Sequence, residues 1–159
     1  MPETNKKRKI LVIEARFYDD IADLLLEGAC EKLESLNIYY DILTVPGALE
    51  IPPAIAFHHQ ASILQSNKSL DINVYDAYVA LGCVIRGETY HFEIVANESA
   101  RGLMNLGITH GLAIGNGILT VENKEQAVIR ARKDQSNKGG GAAQAALDLL
   151  KIKEKLSKL

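Results

Sequence analysis

Cysteine is scarce in this 159-residue sequence: only Cys30 and Cys83 occur, and they do not form a CxxC pair. The four histidines contain no HxxxH spacing either. Zinc sites are commonly built on such short spacings, so the sequence predicts no metal site. Two thiols far apart, in a chain where we see no export signal, also predict reduced cysteines and a cytoplasmic location.

Long apolar runs and an excess of charge of one sign are absent as well. The apolar stretch 10–13 is stopped by Glu14, far short of a secretory signal or a membrane span. The net charge of -2 gives no reason to expect nucleic acid or a membrane as a partner. One basic run, 6–9, stands apart; we interpret it as part of a flexible tail, 1–8, ahead of a single domain, 9–159.

The two common nucleotide-binding fingerprints are also missing. Lys138 precedes three glycines, 139–141, whereas the lysine of a P-loop follows its glycines. The segment Gly115-Asn116-Gly117 does not match the dinucleotide-binding pattern. The sequence therefore predicts neither kind of nucleotide site.

Four short apolar runs alternate with stretches of helical periodicity. The runs are predicted strands, covered on both faces as in a parallel sheet, and they span 9–15, 39–45, 77–83 and 112–119. The predicted helices begin near Asp19 or Asp20 (either of which can cap the helix), Pro52, His91, Lys124 and Gly141. The polar segment 65–73 is the best loop candidate.

This alternation predicts an α/β fold in one domain. We expect a three-layer α/β/α sandwich around a four-stranded parallel sheet, a flavodoxin-like arrangement with right-handed crossovers. Ligands in such folds bind beyond the carboxyl ends of the strands. The segments after the predicted strands are 16–19, 45–52, 83–91 and 120–123, and together they supply an aromatic ring, carboxylates, glycine-rich backbone, a histidine and cations. That combination suits a planar polar heterocycle together with a phosphate.

Three features near the third predicted helix are candidates for phosphate and proton chemistry. The turn Gly87-Glu88-Thr89 presents free backbone N–H groups at a helix start, which favours an anion, although an ordinary helix cap is the simpler alternative. Arg130 can hold a phosphate with two N–H groups, or can be solvated. His91 can exchange protons near neutral pH, or can pack against its own helix.

Three further side chains have competing interpretations. Phe17 can stack on a flat ligand, or belong to the core. Glu50 can accept hydrogen bonds from ligand N–H groups, or cap the second helix. Cys83 has no motif that places a base beside it, so packing is favoured over a nucleophilic role.

Five ordered blocks of this sequence resemble the lumazine synthase family. They are 16–17 (RF), 45–52 (VPGALEIP), 81–92 (LGCVIRGETYHF), 117–127 (GILTVENKEQA, matching apart from Lys124) and 137–139 (NKG), within a likeness that covers about residues 9–150. The resemblance implies a cofactor-independent transferase of the penultimate step of riboflavin biosynthesis. It joins 5-amino-6-ribitylaminouracil to 3,4-dihydroxy-2-butanone 4-phosphate, giving 6,7-dimethyl-8-ribityllumazine and releasing phosphate and water. A non-catalytic protein that binds flavin or lumazine on the same fold is the alternative.

The resemblance also implies a role for each site residue. Phe17 stacks on the pyrimidine, and His91 transfers protons. The ribityl chain is held by Ala48, Leu49 and Glu50, and the pyrimidine edge by backbone groups of Cys83, Val84 and Ile85. The phosphate is bound by Gly87, Glu88, Thr89 and Arg130, with Lys138 nearby.

Family members place their sites between neighbouring subunits of a pentamer. The resemblance therefore implies a homo-oligomer, either a pentamer or an assembly of pentamers, in which a neighbour supplies Asn116 and Arg130. Three positions depart from the family pattern: Leu49 and Asn116 stand where an aromatic is frequent, and Cys83 replaces a common threonine. We expect these departures to affect substrate affinity more than the type of reaction.

Overall fold

The computed structural model describes residues 7–65 and 74–159, and its sheet has four parallel strands in the order β2-β1-β3-β4. The strands are β1 (Lys9–Ala15), β2 (Tyr39–Val45), β3 (Ala77–Ile85) and β4 (Ile114–Val121). The predicted limits of β1 and β2 are confirmed. β3 continues two residues beyond its predicted end at 83, and β4 lies two residues later than the predicted 112–119, because their shared ladder runs from Tyr78 paired with Ile114 to Ile85 paired with Val121.

Five helices lie in the described part of the chain. They are α1 (Asp19–Ser35), α2 (Ile51–Gln65), α3 (His91–His110), α4 (Lys124–Ala131) and α5 (Lys138–Leu156), with a 3₁₀ turn at Ala48–Glu50 before α2. Residues 1–6 of the predicted tail and 66–73 of the predicted loop lie outside the described residues.

One predicted helix cap and one predicted helix start are wrong. α1 begins at Asp19 as predicted, but its cap position is Tyr18, and the Asp20 carboxylate accepts a hydrogen bond from the adjacent Ile21 amide instead of capping the helix. α5 begins at Lys138 rather than Gly141, because the Asn137 side chain accepts a hydrogen bond from the Gly140 amide at 3.1 Å. Asn137 caps the helix from a left-handed backbone conformation, with φ of 45°.

The direction of each connection explains which face of the sheet its helix covers. The chain moves one way from β1 to β2, and the other way from β2 to β3 and from β3 to β4. Right-handed crossovers in opposite directions place their helices on opposite faces. The first face is covered by α1, α4 and α5, and the second by α2 and α3. The predicted three-layer sandwich is thus confirmed.

The first face is packed closely enough to require glycine at two contacts. A Cβ added to Gly139 would lie 2.0 Å from the Leu25 carbonyl oxygen of α1. One added to Gly115 would lie 1.9 Å from the Ala142 carbonyl oxygen of α5. Because real Cβ atoms do not approach so closely, these glycines allow α5 to lie directly against α1 and β4.

One burial prediction is wrong. The sequence predicts β2 to be covered on both faces, but β2 is an edge strand, and Ile42, which pairs with the first-face residue Val12, is 47% exposed. An edge strand has a neighbour on one side only, so helices packed over the sheet centre leave it partly open.

No helix in the described ranges is long and apolar enough to cross a membrane.

Candidate active site

A cavity of about 460 Å³ opens beyond the carboxyl ends of β1, β2 and β3. Ligand pockets in proteins typically measure roughly 300–1,000 Å³, so the space suits a small molecule. β1 and β3 are neighbours from which the chain departs in opposite directions, towards β2 and towards β4. Such a divergence leaves a crevice at the strand ends, where open α/β sheets bind their ligands.

Most of the predicted site residues line this cavity. They are Phe17, Ala48, Leu49, Glu50, Cys83, Val84, Ile85, Gly87, Thr89 and His91. These residues come from three separate stretches of the chain, which the sheet brings to one edge. Glu88, Asn116, Arg130 and Lys138 are not part of its lining.

The Phe17 ring forms one wall and does not belong to the core. The residue is 73% exposed, and its ring stands edge-on to the Tyr18 ring, with centroids 5.0 Å apart. An aromatic ring left open at a cavity presents a flat face on which a planar ligand can stack.

The 3₁₀ turn before α2 forms the opposite wall. The Glu50 amide donates a hydrogen bond to the Gly47 carbonyl, with nitrogen and oxygen 3.2 Å apart, which closes the turn. The Glu50 carboxylate folds back over Gly47, because its Oε2 atom lies 3.0 Å from where a Cβ at residue 47 would stand. Ala48 is buried beneath the turn, while Leu49 and Glu50 remain exposed beside the cavity.

Cys83 lies at the base of the cavity and is a free thiol. Burial raises the pKa of Cys83 to about 12, and the nearby Asp20 carboxylate adds to the effect. A thiol with such a pKa stays protonated near neutral pH, whereas the thiolate is the nucleophilic form. This favours the packing role for the side chain.

The turn 87–89 and His91 are exposed where α3 begins. The His91 amide donates to Thr89 Oγ1 across a long 3.4 Å. Tyr90, the residue before the helix, makes no side-chain cap in this part of the described structure. The positive end of the α3 dipole therefore lies at the cavity. Its backbone N–H groups can donate hydrogen bonds to an anion there.

Arg86, beside this turn, is already occupied by carboxylates. Its Nε donates to Glu122 at 2.7 Å, and its Nη1 contacts Glu93. Its guanidinium also lies 4.3 Å from the centre of the Phe92 ring. Hydrogen bonds to these carboxylates raise the pKa of Arg86. Because its guanidinium is already paired with them, we assign Arg86 a structural role beside the turn.

The remaining predicted residues lie away from the cavity lining of this chain. Asn116 is exposed on edge strand β4, where its Oδ1 accepts from the Ile118 amide at 2.9 Å. Arg130 Nη1 donates to the Gln126 carbonyl of its own helix at 3.1 Å. Lys138 is exposed at the start of α5, and Glu88 is exposed beside the lined residues of its own turn.

Five lining residues were not assigned a role from the sequence: Tyr18, Pro46, Gly47, Phe92 and Val95. Val95 was detectable in principle, because it follows His91 by one helical turn and so shares its face of α3. Among the described residues, no group of three His, Cys, Asp or Glu side chains could hold a metal ion.

Known proteins resemble this chain along nearly all of its length. The family model described as 6,7-dimethyl-8-ribityllumazine synthase matches residues 7–154. A protein of that name from Bartonella henselae is 57% identical over 157 residues, which cover 99% of this chain and 96% of the relative. One from Agrobacterium fabrum is 56% identical over 150 residues, covering 94% of this chain and 97% of the relative.

Proposed function

Because the chain belongs to the 6,7-dimethyl-8-ribityllumazine synthase family, it is a transferase of riboflavin biosynthesis, and we propose that the cavity is its active site. The enzyme condenses 5-amino-6-ribitylaminouracil with 3,4-dihydroxy-2-butanone 4-phosphate. The observation that supports this site is the meeting of the exposed Phe17 ring, the turn 87–89 and His91 at one cavity. Nothing in the relatives favours the non-catalytic alternative.

The pyrimidine substrate occupies the part of the cavity between Phe17 and β3. Its ring stacks on the Phe17 side chain, and its polar edge bonds to backbone groups of 83–85. The ribityl chain runs along the 3₁₀ turn Ala48–Glu50, where the Glu50 carboxylate accepts from its hydroxyl groups. The exposure of Phe17 and the position of Glu50 on the opposite wall support this orientation.

The phosphate substrate binds at the start of α3. Backbone N–H groups of the turn 87–89 and the helix dipole favour its anionic group, and Arg86 is held away from it by Glu93 and Glu122. His91, on the first turn of the helix, then lies beside the reacting carbons. It takes and returns the protons that imine formation, phosphate loss and ring closure require.

This inventory is sufficient for the chemistry. The substrate amine is itself the nucleophile, so no serine or thiolate is needed, in agreement with the protonated Cys83. Holding two reactants in the correct geometry can lower a barrier by roughly 7–11 kcal/mol. One acid–base group typically contributes about 10²–10⁴-fold. Positioning is therefore the larger contribution, and His91 the smaller.

We further propose that the working enzyme is a cytoplasmic homo-oligomer, a pentamer or an assembly of pentamers. In it, Asn116, Arg130 and Lys138 of one subunit complete the cavity of the next. Their position outside the cavity lining of their own chain supports this arrangement. Arg130 would then grip the phosphate with its guanidinium, whose planar N–H groups match a phosphate in pairs.

Mixing two impaired variants tests the shared site. Arg130→Ala and His91→Ala subunits, unfolded together and reassembled, should show more activity than either homo-oligomer has alone. Recovery is expected because some cavities then combine an intact His91 with an intact Arg130 from the neighbour. If the mixture is no more active than the average of its components, each chain supplies both residues itself.

The reaction is tested directly by mixing purified protein with both substrates. Lumazine fluorescence and phosphate release are followed together against an enzyme-free blank. We expect both products to appear at equal rates, well above the blank. Tight binding of lumazine without any acceleration would instead support the non-catalytic alternative.

A further inference from the structure

One carboxylate is buried directly before the active-site loop. Glu14, in β1, is only 3% exposed. Its two oxygens accept hydrogen bonds from Arg16 Nε at 2.9 Å and Arg16 Nη2 at 3.1 Å. The Thr44 hydroxyl on β2 donates to the same carboxylate at 2.8 Å. The mechanism above uses none of these three side chains.

The third nitrogen of Arg16 extends the contacts to α1. Nη1 lies 2.8 Å from the Asp23 carboxylate and 3.5 Å from that of Asp19. The Arg16 amide also donates to the Val45 carbonyl, with nitrogen and oxygen 3.1 Å apart. All three guanidinium nitrogens thus face carboxylates, so this cation does not serve as a substrate phosphate ligand.

These contacts tie together the two walls that flank the pyrimidine position. Arg16 is adjacent to Phe17, and Thr44 and Val45 directly precede the turn 46–50. A buried ion pair is weak evidence for stability, because taking both charges out of water offsets much of their attraction. The bidentate geometry does fix an orientation, since it allows the guanidinium only one plane.

We propose that Glu14 is a positioning residue for the pyrimidine substrate, acting through Arg16 and Thr44 to hold Phe17 opposite the turn 46–50. The proposal rests on the proposed function, because it takes the Phe17 wall as the pyrimidine site. Glu14 itself, buried beneath the strand ends, does not line the cavity. Its effect is therefore on the geometry of binding, and not on proton transfer at His91.

Two substitutions test it. Glu14→Gln removes the charge but keeps the size, and Thr44→Val replaces the hydroxyl with a methyl group. Small misplacements in a site can be costly, so we expect KM for the pyrimidine substrate to rise at least about tenfold in Glu14→Gln. The KM for the phosphate substrate and the pH profile of kcat should stay as in wild type. Thr44→Val should show the same selective change, more weakly.

Two matched variants control for unspecific effects. Thr44→Ser keeps the hydroxyl and should restore wild-type KM values. Glu154→Gln breaks a similar bidentate pair, in which Glu154 accepts from Arg8 Nε at 3.0 Å and Nη2 at 2.6 Å. Because Arg8 lies at the amino end of β1, opposite to the cavity, both KM values should be unchanged.

The outcomes separate this proposal from the function itself. Absence of turnover in wild type would contradict the proposed function. In that case, the affinities of wild type and Glu14→Gln for 6,7-dimethyl-8-ribityllumazine would still test whether Glu14 positions the Phe17 wall. A rise in both KM values together, or no rise in either, would overturn the positioning role. If Glu14→Gln fails to fold, the Thr44→Val and Thr44→Ser pair decides.

Discussion

The helices on the two faces of the sheet bury different numbers of their residues. On the first face, α1 buries six residues and α5 buries seven, and they form one continuous cluster with the sheet. On the second face, α2 buries only Ile51, Pro52 and Ile55, and α3 only Ser99 and Leu103. Both faces are helix on sheet, and the smaller buried share of α2 and α3 agrees with the proposed assembly of subunits.

Apolar side chains on the second face support the same conclusion. Met104 and Ile108, one turn apart on α3, are 61% and 76% exposed. Neighbouring apolar groups left in water are typical of surfaces that a partner covers, and α5 on the first face also exposes two, Leu149 at 44% and Ile152 at 57%. The active site lies on the same side, since the 3₁₀ turn and α3 both line its cavity. We therefore expect changes on the first face to affect stability, and changes on the second to affect assembly and activity.

The largest effect should come from the site itself. His91→Ala should lower kcat by about 10²–10⁴-fold, because it removes one acid–base group and leaves substrate positioning intact. The Tm should stay close to wild type, since the residue is exposed. Steady-state kinetics and calorimetry at one protein concentration check both values. Complete loss of activity in a folded variant would mean that positioning contributes less than we propose.

Close packing on the first face gives the next largest effect. Gly139→Ala places a Cβ 2.0 Å from the Leu25 carbonyl oxygen, which must cost roughly 3 kcal/mol or more of unfolding free energy. Gly141→Ala is the matched control on the same helix, because its added Cβ meets nothing within 4 Å. That control should gain roughly 0.5–1 kcal/mol from reduced chain freedom. Equal Tm values for the two variants would contradict the packing described for this face.

The exposed patch on the second face should control assembly. Ile108→Glu puts a charge where we expect a partner to pack, and burying a side chain of this size is worth about 1.5–3 kcal/mol. Subunit association should therefore weaken by about tenfold or more, as measured by sedimentation at several concentrations. Secondary structure should be unaffected, because the side chain is 76% exposed. Unchanged association would exclude Ile108 from the interface and leave the patch unexplained.

The smallest effect should be on the thiol at the cavity base. Cys83→Ala should leave kcat and its dependence on pH near wild type, because burial raises the pKa of Cys83 to about 12 and the thiol stays protonated. Since folding raises this pKa from 9.0, any stability that the neutral thiol contributes is present below pH 9 and is lost between about 9 and 12. Loss of activity at pH 7 would give the thiol a chemical role.

Much of the architecture could be predicted from local patterns. The limits of β1 and β2, and the start of α3 at His91, followed from runs of apolar residues and from turn residues. The cap of α1 could not be predicted, because Asp19 and Asp20 both resemble caps in the sequence, while in the structure the Asp20 carboxylate lies 2.5 Å from Lys124 Nζ and Tyr18 is at the cap position. The exposure of Ile42 could not be predicted either, because an apolar run looks the same in an edge strand and in a central strand.

The candidate site was predicted in part. Phe17 and His91 follow strands, so a rule about strand ends placed both at one edge of the sheet. Whether Phe17 faced the core or the cavity depended on how Tyr18 and the neighbouring turn pack around it. The position of Arg130 outside its own cavity was implied by resemblance alone, and its proposed partnership with a neighbouring subunit stays a prediction.

The amino-acid sequence was enough to predict the family, the reaction, and the alternation of strands and helices. These depend on motifs and periodicities that are read within a few neighbouring residues. Three other features required the folded chain: β2 lies at an edge of the sheet, α2 and α3 bury few of their residues, and Glu14 is buried against Arg16 and Thr44. The physical reason is that burial and pairing are set by contacts between residues far apart in the chain, and no local pattern records them.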